Sequence, residues 1–324
     1  MDERKNQQQA AKEAKRLREQ ERRATCRAIK DNPLVIQVCK ATGEARLTGE
    51  WATPPGFTKS IRPNLTLLEG ERPILQRISP TSLQQRTAAA KSAAQGLNLF
   101  QELQEAAGQG ANKTRRGAFI LGYSHTVGHN DLKFTGDTLN CKTKDQAAAF
   151  LFWAKKHTTD FLETARPLIH DHFQAQLRER TATSTRGWLR SQLGERNGAL
   201  LHPWWTTLSL FDTYTGQHAD ILDAEPSFLF NFGHPCELTL HEYAVTVTVA
   251  PFEILIMNTG ARHSTSAAPT NTTTTPRWAF SAFFRQAILS QVSPSPISSK
   301  RLESAKAKVN DGRKRVRYTY VTKD

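Results

Sequence analysis

The sequence predicts an α+β fold: a double-stranded β-helix (jelly-roll) barrel core flanked by helices, with basic helical or disordered termini. Three patterns point there. Between about residues 205 and 290, short runs rich in β-branched and aromatic residues alternate with period two and are broken by Gly and Pro. Between about 85 and 200, apolar residues recur at helical spacing. Charge crowds into the two ends of the chain.

Residues 1–32 interleave Arg and Lys with Glu, Gln and Ala, as in Lys12-Glu13-Ala14-Lys15-Arg16-Leu17-Arg18-Glu19. A segment with so little apolar face is expected as a solvated helix or a disordered extension. Leu34-Val35-Ile36-Gln37-Val38 reads as a strand, after which Pro54-Pro55-Gly56 and Arg72-Pro73 mark loop-rich chain. Thr87 to Ala107 has helical spacing, and Gly117-Ala118-Phe119-Ile120-Leu121-Gly122-Tyr123 reads as a strand preceded by Lys113-Thr114-Arg115-Arg116. From Asp145 to Arg178, Phe150, Leu151, Ala154, Phe161, Leu162, Ile169 and Phe173 fall on a helical stripe, with a kink expected at Pro167. Arg186 to Leu193 reads as a short helix.

The barrel strands follow. Leu208-Ser209-Leu210-Phe211-Asp212 comes first, then Ser227-Phe228-Leu229-Phe230-Asn231-Phe232-Gly233 and Cys236-Glu237-Leu238-Thr239-Leu240. The alternating run from Tyr243 to Val249 leads through a turn at Ala250-Pro251-Phe252-Glu253 to Ile254-Leu255-Ile256-Met257, and Arg277 to Phe283 closes the set. From about Pro294 a Pro/Ser linker leads to Gly312-Arg313-Lys314-Arg315-Val316-Arg317. The expected organisation is an extension over 1–32, one domain over 33–292 with its barrel core at about 205–290 and supporting helices at about 85–200, and a basic tail over 293–324.

At 324 residues the chain is long enough to bury a full core. Its net charge of +14 favours a polyanionic partner, because Lys and Arg gain affinity for phosphates by releasing condensed counterions. The basic ends are candidate nuclear-localisation or nucleic-acid-contact segments, so a nuclear or nucleocytoplasmic location is expected; a tail that only keeps the protein soluble is the alternative. Cys26, Cys39, Cys141 and Cys236 lie far apart with no CxxC pair, which argues against a zinc knuckle or a disulfide framework and for a reducing compartment. With no apolar leader and no apolar run of spanning length, membrane association is not expected, and a monomer is.

Against this background one constellation carries chemistry. His218-Ala219-Asp220, followed by His263, offers two imidazoles and a carboxylate in the order of the 2-His-1-carboxylate facial triad, which holds Fe(II) by one face and leaves positions open for oxygen and a co-substrate. Residues i and i+2 of a strand face one way, so His218 and Asp220 can grip one metal. Arg277 is placed to pair bidentately with the distal carboxylate of a 2-oxo acid. His129-Asn130-Asp131 repeats the His-x-Asp pattern but is followed by helical spacing rather than strands, and His170-Asp171-His172 lies where i and i+2 diverge on a helix. Neither is read as a metal site.

The segment from His218 to Gly233, with His-x-Asp-x-Leu-Asp and then Pro226-Ser227 and an aromatic strand, resembles the metal strand of the TET/JBP family of nucleic-acid base dioxygenases, closest to its small protist-type 5-methylcytosine dioxygenases. Val249 to Ile256 resembles that family's turn before the distal His, and the Arg277 strand, ending in Phe283 and Phe284, resembles its last core strand. The resemblance covers about residues 205–287. It implies Fe(II) on His218, Asp220 and His263, with 2-oxoglutarate paired to Arg277 and O2 as oxidant. It implies oxidation of 5-methylcytosine in duplex DNA to 5-hydroxymethylcytosine and onward, on a base flipped out of the stack. Asp223 then accepts a hydrogen bond from the cytosine edge, and Phe283 stacks on the flipped base.

The chain also departs from the pattern. Where the protist-type members place a base-edge His, this chain has Arg285, which donates but cannot accept. That leaves N6-methyladenine, thymine or a protein side chain as the alternative substrate. The gap from His263 to Arg277, with Thr272-Thr273-Thr274-Thr275, is longer than in the small members. An AlkB-type N-demethylase would show Arg-x-Asn-x-Thr-x-Arg on the last strand, which is missing here, and a prolyl-type hydroxylase would leave the basic termini without a role. A non-enzymatic module with a degenerate barrel would turn at least one of the three ligands away from the others.

Overall fold

The protein is described from a computed structural model, over residues 34–40, 47–48, 64–80, 83–111, 118–125, 132–198, 200–268 and 277–292. The expected segments 1–32 and 293–324, the Lys113-Thr114-Arg115-Arg116 run, His129-Asn130-Asp131 and the Thr272 to Thr275 run lie outside these residues.

The architecture is mixed α+β with two sheets. In the larger sheet β1 (Leu34–Gln37), β3 (Leu65–Glu69), β4 (Arg72–Ile78), β11 (Ile254–Met257) and β8 (Asp223–Phe232) lie side by side in that order. It continues through β13 (Trp278–Arg285), β7 (Thr207–Phe211), β5 (Phe119–His125) and β6 (Leu132–Phe134). The smaller sheet runs β12 (His263–Ala267), β9 (Cys236–Leu240), β10 (Val245–Val249) and β2 (Leu47–Thr48). Val245, Val247 and Val249 are buried while Thr246 and Thr248 are partly exposed, the alternation of a sheet with one covered face.

The central strands of the larger sheet are covered on both faces. Phe230, Phe232, Phe280, Leu208 and Ile256 point into a cluster with Phe150 and Trp153 from the helix Lys144–Ala165 and Phe100 from the helix Leu83–Ala111. Leu229, Leu255 and Ala279, one residue out of phase, join a second cluster with Leu238, Val247 and Val249 of the smaller sheet. The result is three layers: helices, large sheet, small sheet. Gly96 allows the two long helices to pack closely, because a Cβ there would come within 2.3 Å of the Trp153 ring. Gly122 has φ of 97° and would place a Cβ 2.4 Å from the Thr206 carbonyl oxygen, so β5 and β7 meet only through a glycine.

The expected break at Pro167 is present: the Lys144–Ala165 helix gives way to a 3-10 turn, Arg166–Leu168, before the helix Asp171–Thr181. The expected loop around Arg72-Pro73 is instead a hairpin, in which β3 and β4 join through Gly70 at φ of 61° and β4 pairs with β11. Pro73 is tolerated because the register of β3 and β4 shifts there, between Leu67 and Leu68, and an irregular position needs no ladder N–H. No helix among the described residues is long and apolar enough to cross a membrane.

A candidate metal centre in an apolar cavity

His218 and His263 meet as an isolated antiparallel bridge, each N–H donating to the other's carbonyl at 2.9 and 2.8 Å. His218 and Asp220 therefore do not share a regular strand as expected. They occupy an extended entry to β8, with the Asp220 N–H donating to the Thr259 carbonyl at 2.8 Å. Extended chain still turns i and i+2 the same way, so both reach the space beside His263. The Asp220 carboxylate lies 3.7 Å from His218 Nε2 and 4.0 Å from His263 Nε2, and candidate ligand atoms of the three residues fall within 4.8 Å of one another. Among the described residues this is the one group of three or more His, Cys, Asp and Glu side chains so placed.

The backbone also sets the tautomers. His218 Nδ1 lies 2.8 Å from the Gly216 carbonyl and His263 Nδ1 2.8 Å from the Ala261 carbonyl. A carbonyl only accepts, so each Nδ1 carries the proton and each Nε2 keeps its lone pair. Burial lowers the pKa of His263, and the His218 ring beside it acts in the same direction, which favours the neutral form a metal requires. The segment carrying Gly216 is anchored to β12 by Thr215, whose N–H donates to Thr265 Oγ1 at 2.8 Å and whose carbonyl accepts from the Thr265 N–H at 3.0 Å.

These ligands line a cavity of about 540 Å³ together with Asp223, Phe283 and Arg285. Asp223 opens β8 and lies in register with Arg285 at the end of β13; Arg285 Nη1 donates to Asp223 Oδ1 at 2.6 Å. The Arg285 guanidinium also lies over the Phe283 ring, 4.6 Å from its centre. Burial raises the Asp223 carboxyl to a pKa of about 7, with Arg285 opposing the shift. Beneath this corner Arg180, fully buried, donates to the carbonyls of Trp204, Ala224 and Pro226 at 2.7, 2.9 and 2.8 Å, fixing the start of β8.

Arg277 is set apart from this group. It is not part of the cavity lining; its guanidinium packs 5.4 Å from the centre of Phe211, which does line the cavity, and 4.7 Å from Tyr214. Nη1 donates to the Thr213 carbonyl, whereas Nε and Nη2 are buried with no oxygen or nitrogen partner, the guanidinium lying beside the Cys236 thiol. Two orphaned guanidinium donors of this kind fit a carboxylate co-substrate. The imidazole, imidazole and carboxylate donor set fits Fe(II).

Ser209 and Ser281 were not singled out by sequence. They pair directly across β7 and β13 and place two hydroxyls in the cavity wall. Period-two alternation from Arg277 through Ala279 would have put Ser281 on this face. The carbonyls of Gly216 and Ala261 leave no trace in residue type.

The fold and site thus define an α+β protein with a His-Asp-His candidate metal centre in a cavity lined by both polar and apolar side chains. No family model matches the chain, and no curated protein matches it. Among solved structures it is similar to NgTET1 in complex with 5mC DNA, at 12% identity and a TM-score of 0.47, over 89% of this chain and 98% of that one. It is also similar to YcfD, a ribosomal oxygenase from Escherichia coli, at 14% identity and a TM-score of 0.20, over 36% and 31% of the two chains. A third likeness is to an oxidoreductase of the 2OG-Fe(II) oxygenase family from Burkholderia pseudomallei, at 11% identity and a TM-score of 0.26, over 52% and 68%.

Proposed function

We propose that the protein is an Fe(II)- and 2-oxoglutarate-dependent dioxygenase with a jelly-roll core, oxidising 5-methylcytosine flipped out of DNA to 5-hydroxymethylcytosine and onward. The observation that carries this reading is that His218, Asp220 and His263 share one cavity with an aromatic ring, Phe283, and a paired carboxylate, Asp223. Fe(II) with 2-oxoglutarate and O2 supplies the oxidising power to hydroxylate an unactivated methyl group, releasing succinate and CO2.

The chain's own residues do the rest. Gly216 and Ala261 hold the two imidazoles with Nε2 turned toward Asp220, which adds the anionic ligand. The two unpartnered nitrogens of Arg277 receive the distal carboxylate of 2-oxoglutarate. The Phe283 face takes the flipped base by stacking, worth about 1–3 kcal/mol per base, which offsets much of the cost of unstacking it. Leu229, Leu238 and Met257 keep the reacting methyl against an apolar wall.

Arg285 supports a second reading. It offers only donors to a base edge, which favours a base presenting acceptor oxygens, such as thymine. Incubation with Fe(II), 2-oxoglutarate, ascorbate and methylated or unmethylated duplex, followed by digestion and mass spectrometry of the nucleosides, separates the two. Hydroxymethylcytosine is the expected product; turnover confined to thymine, N6-methyladenine or a peptide would replace the first reading.

A further inference from the structure

We infer that Arg285 is a displaceable stand-in for the substrate base: in the free protein its guanidinium fills the seat between Phe283 and Asp223, and a base enters by taking that seat. This inference rests on reading the cavity as a base site. A base held there must lay a flat face on Phe283 and present an N–H to the Asp223 carboxylate. Arg285 already occupies both places, with Cζ over the ring 4.6 Å from its centre and Nη1 2.6 Å from Asp223 Oδ1. A guanidinium is planar, carries N–H donors along its edge and stacks on aromatic faces, so it reproduces the amino edge of a cytosine. The seat cannot hold both.

Exposure determines which partner moves. The Asp223 side chain is 2% exposed and fixed in β8, whereas the Arg285 side chain is 25% exposed and leaves from the last residue of β13. Of the two, Arg285 is the partner with a route to water. Once Arg285 leaves, Asp223 is a buried acceptor that needs a new donor, because an uncompensated buried charge is costly. Entry is therefore coupled to what the base brings. An exocyclic amino group replaces the lost N–H. Thymine, with the same methyl group, places a carbonyl oxygen at that position.

Nuclear magnetic resonance of the full chain, labelled with 15N-arginine and without added iron, tests this directly. The Arg285 Nε–H resonance is identified by its disappearance in Arg285→Lys. It is expected upfield, shifted by the Phe283 ring, to return toward the ordinary position on binding a duplex with one 5-methylcytosine, and to stay upfield with thymine at that place. In turnover with Fe(II) and 2-oxoglutarate, Arg285→Ala is expected to lower KM for the methylated duplex about fivefold, as loss of a self-competing cation–π contact implies; Arg285→Gln serves if the alanine variant does not fold. A rise in KM overturns the inference and makes Arg285 a reader of the bound base. So does an upfield resonance that persists with methylated duplex bound, or an ordinary resonance in the free protein. If neither protein oxidises the methylated duplex, the functional proposal falls, and the free-protein resonance still decides whether Arg285 occupies the seat.

Discussion

The two faces of the nine-stranded sheet both bury histidine among aromatic residues, and they make opposite use of it. On the helix face, His157 stacks on Trp153 at 5.1 Å between ring centres, and its Nδ1 pairs with Ser92 Oγ at 2.7 Å. Its surroundings, Phe230 and Phe232, are apolar. On the cavity face, His218 and His263 give Nδ1 to backbone carbonyls and turn Nε2 toward a shared carboxylate. Burial is common to all three. What separates ligand from core residue is whether the second ring nitrogen faces a shared, open space.

If this contrast holds, substitutions on the cavity face remove chemistry and leave the fold standing. Asp220→Ala is the largest expected effect: Fe(II)-dependent succinate formation falls about thousandfold, the rate equivalent of several kcal/mol of lost metal-centred stabilisation, with little change in Tm. Unimpaired succinate formation in this variant would remove the metal assignment.

The helix face should show the reverse. Trp153 lies 5.6 Å from Trp278 and 6.0 Å from Phe280, and its Nε1 donates to the Ser92 carbonyl at 3.0 Å. Trp153→Ala is expected to cost about 3–5 kcal/mol of stability by denaturant unfolding, while the folded fraction keeps its affinity for 2-oxoglutarate. Selective loss of co-substrate affinity without destabilisation would break the division between faces.

His157 sharpens the same comparison through pH. Burial lowers its pKa from 6.5 to about 4. Below pH 6.5 the unfolded chain takes up a proton that the folded chain refuses. The stability contributed by neutral His157 is therefore complete above pH 6.5 and declines as pH falls toward about 4, by up to about 3 kcal/mol. His157→Gln, which cannot titrate, should flatten that part of the Tm profile; His202, lowered to about 3 by burial, leaves a remaining slope. An unchanged profile would mean that His157 does not resist protonation.

Legibility in sequence followed the range of the interaction. The Val245 to Val249 alternation and the His218-x-Asp220 spacing are local, and both are legible in residue type and spacing alone. The β3–β4 hairpin did not, because Pro73 resembles loop punctuation and the strand is completed by β11, far along the chain. Asp223 and Arg285 were each singled out, yet their ion pair depends on the register of β8 against β13, which residue types do not encode. Arg277 is marked by residue type and its place after His263, but residue type does not show that its guanidinium packs over Phe211 rather than joining the cavity lining.

That separation makes Arg277 the finest probe of the cavity face. Arg277→Lys keeps the charge but removes the planar fork that lies against Phe211 and Tyr214 and that presents Nε and Nη2 without partners. If those nitrogens receive the co-substrate carboxylate, the substitution loses about one charge-assisted hydrogen bond in bidentate geometry, worth about 1.5–3 kcal/mol. KM for 2-oxoglutarate in succinate release is then expected to rise about 10- to 100-fold, with a smaller change in kcat, since a carboxylate remote from the reacting carbon is held equally in ground and transition states. An unchanged KM would show that Arg277 is a packing cation beneath the cavity wall, and the co-substrate anchor would have to be sought among the residues that line it.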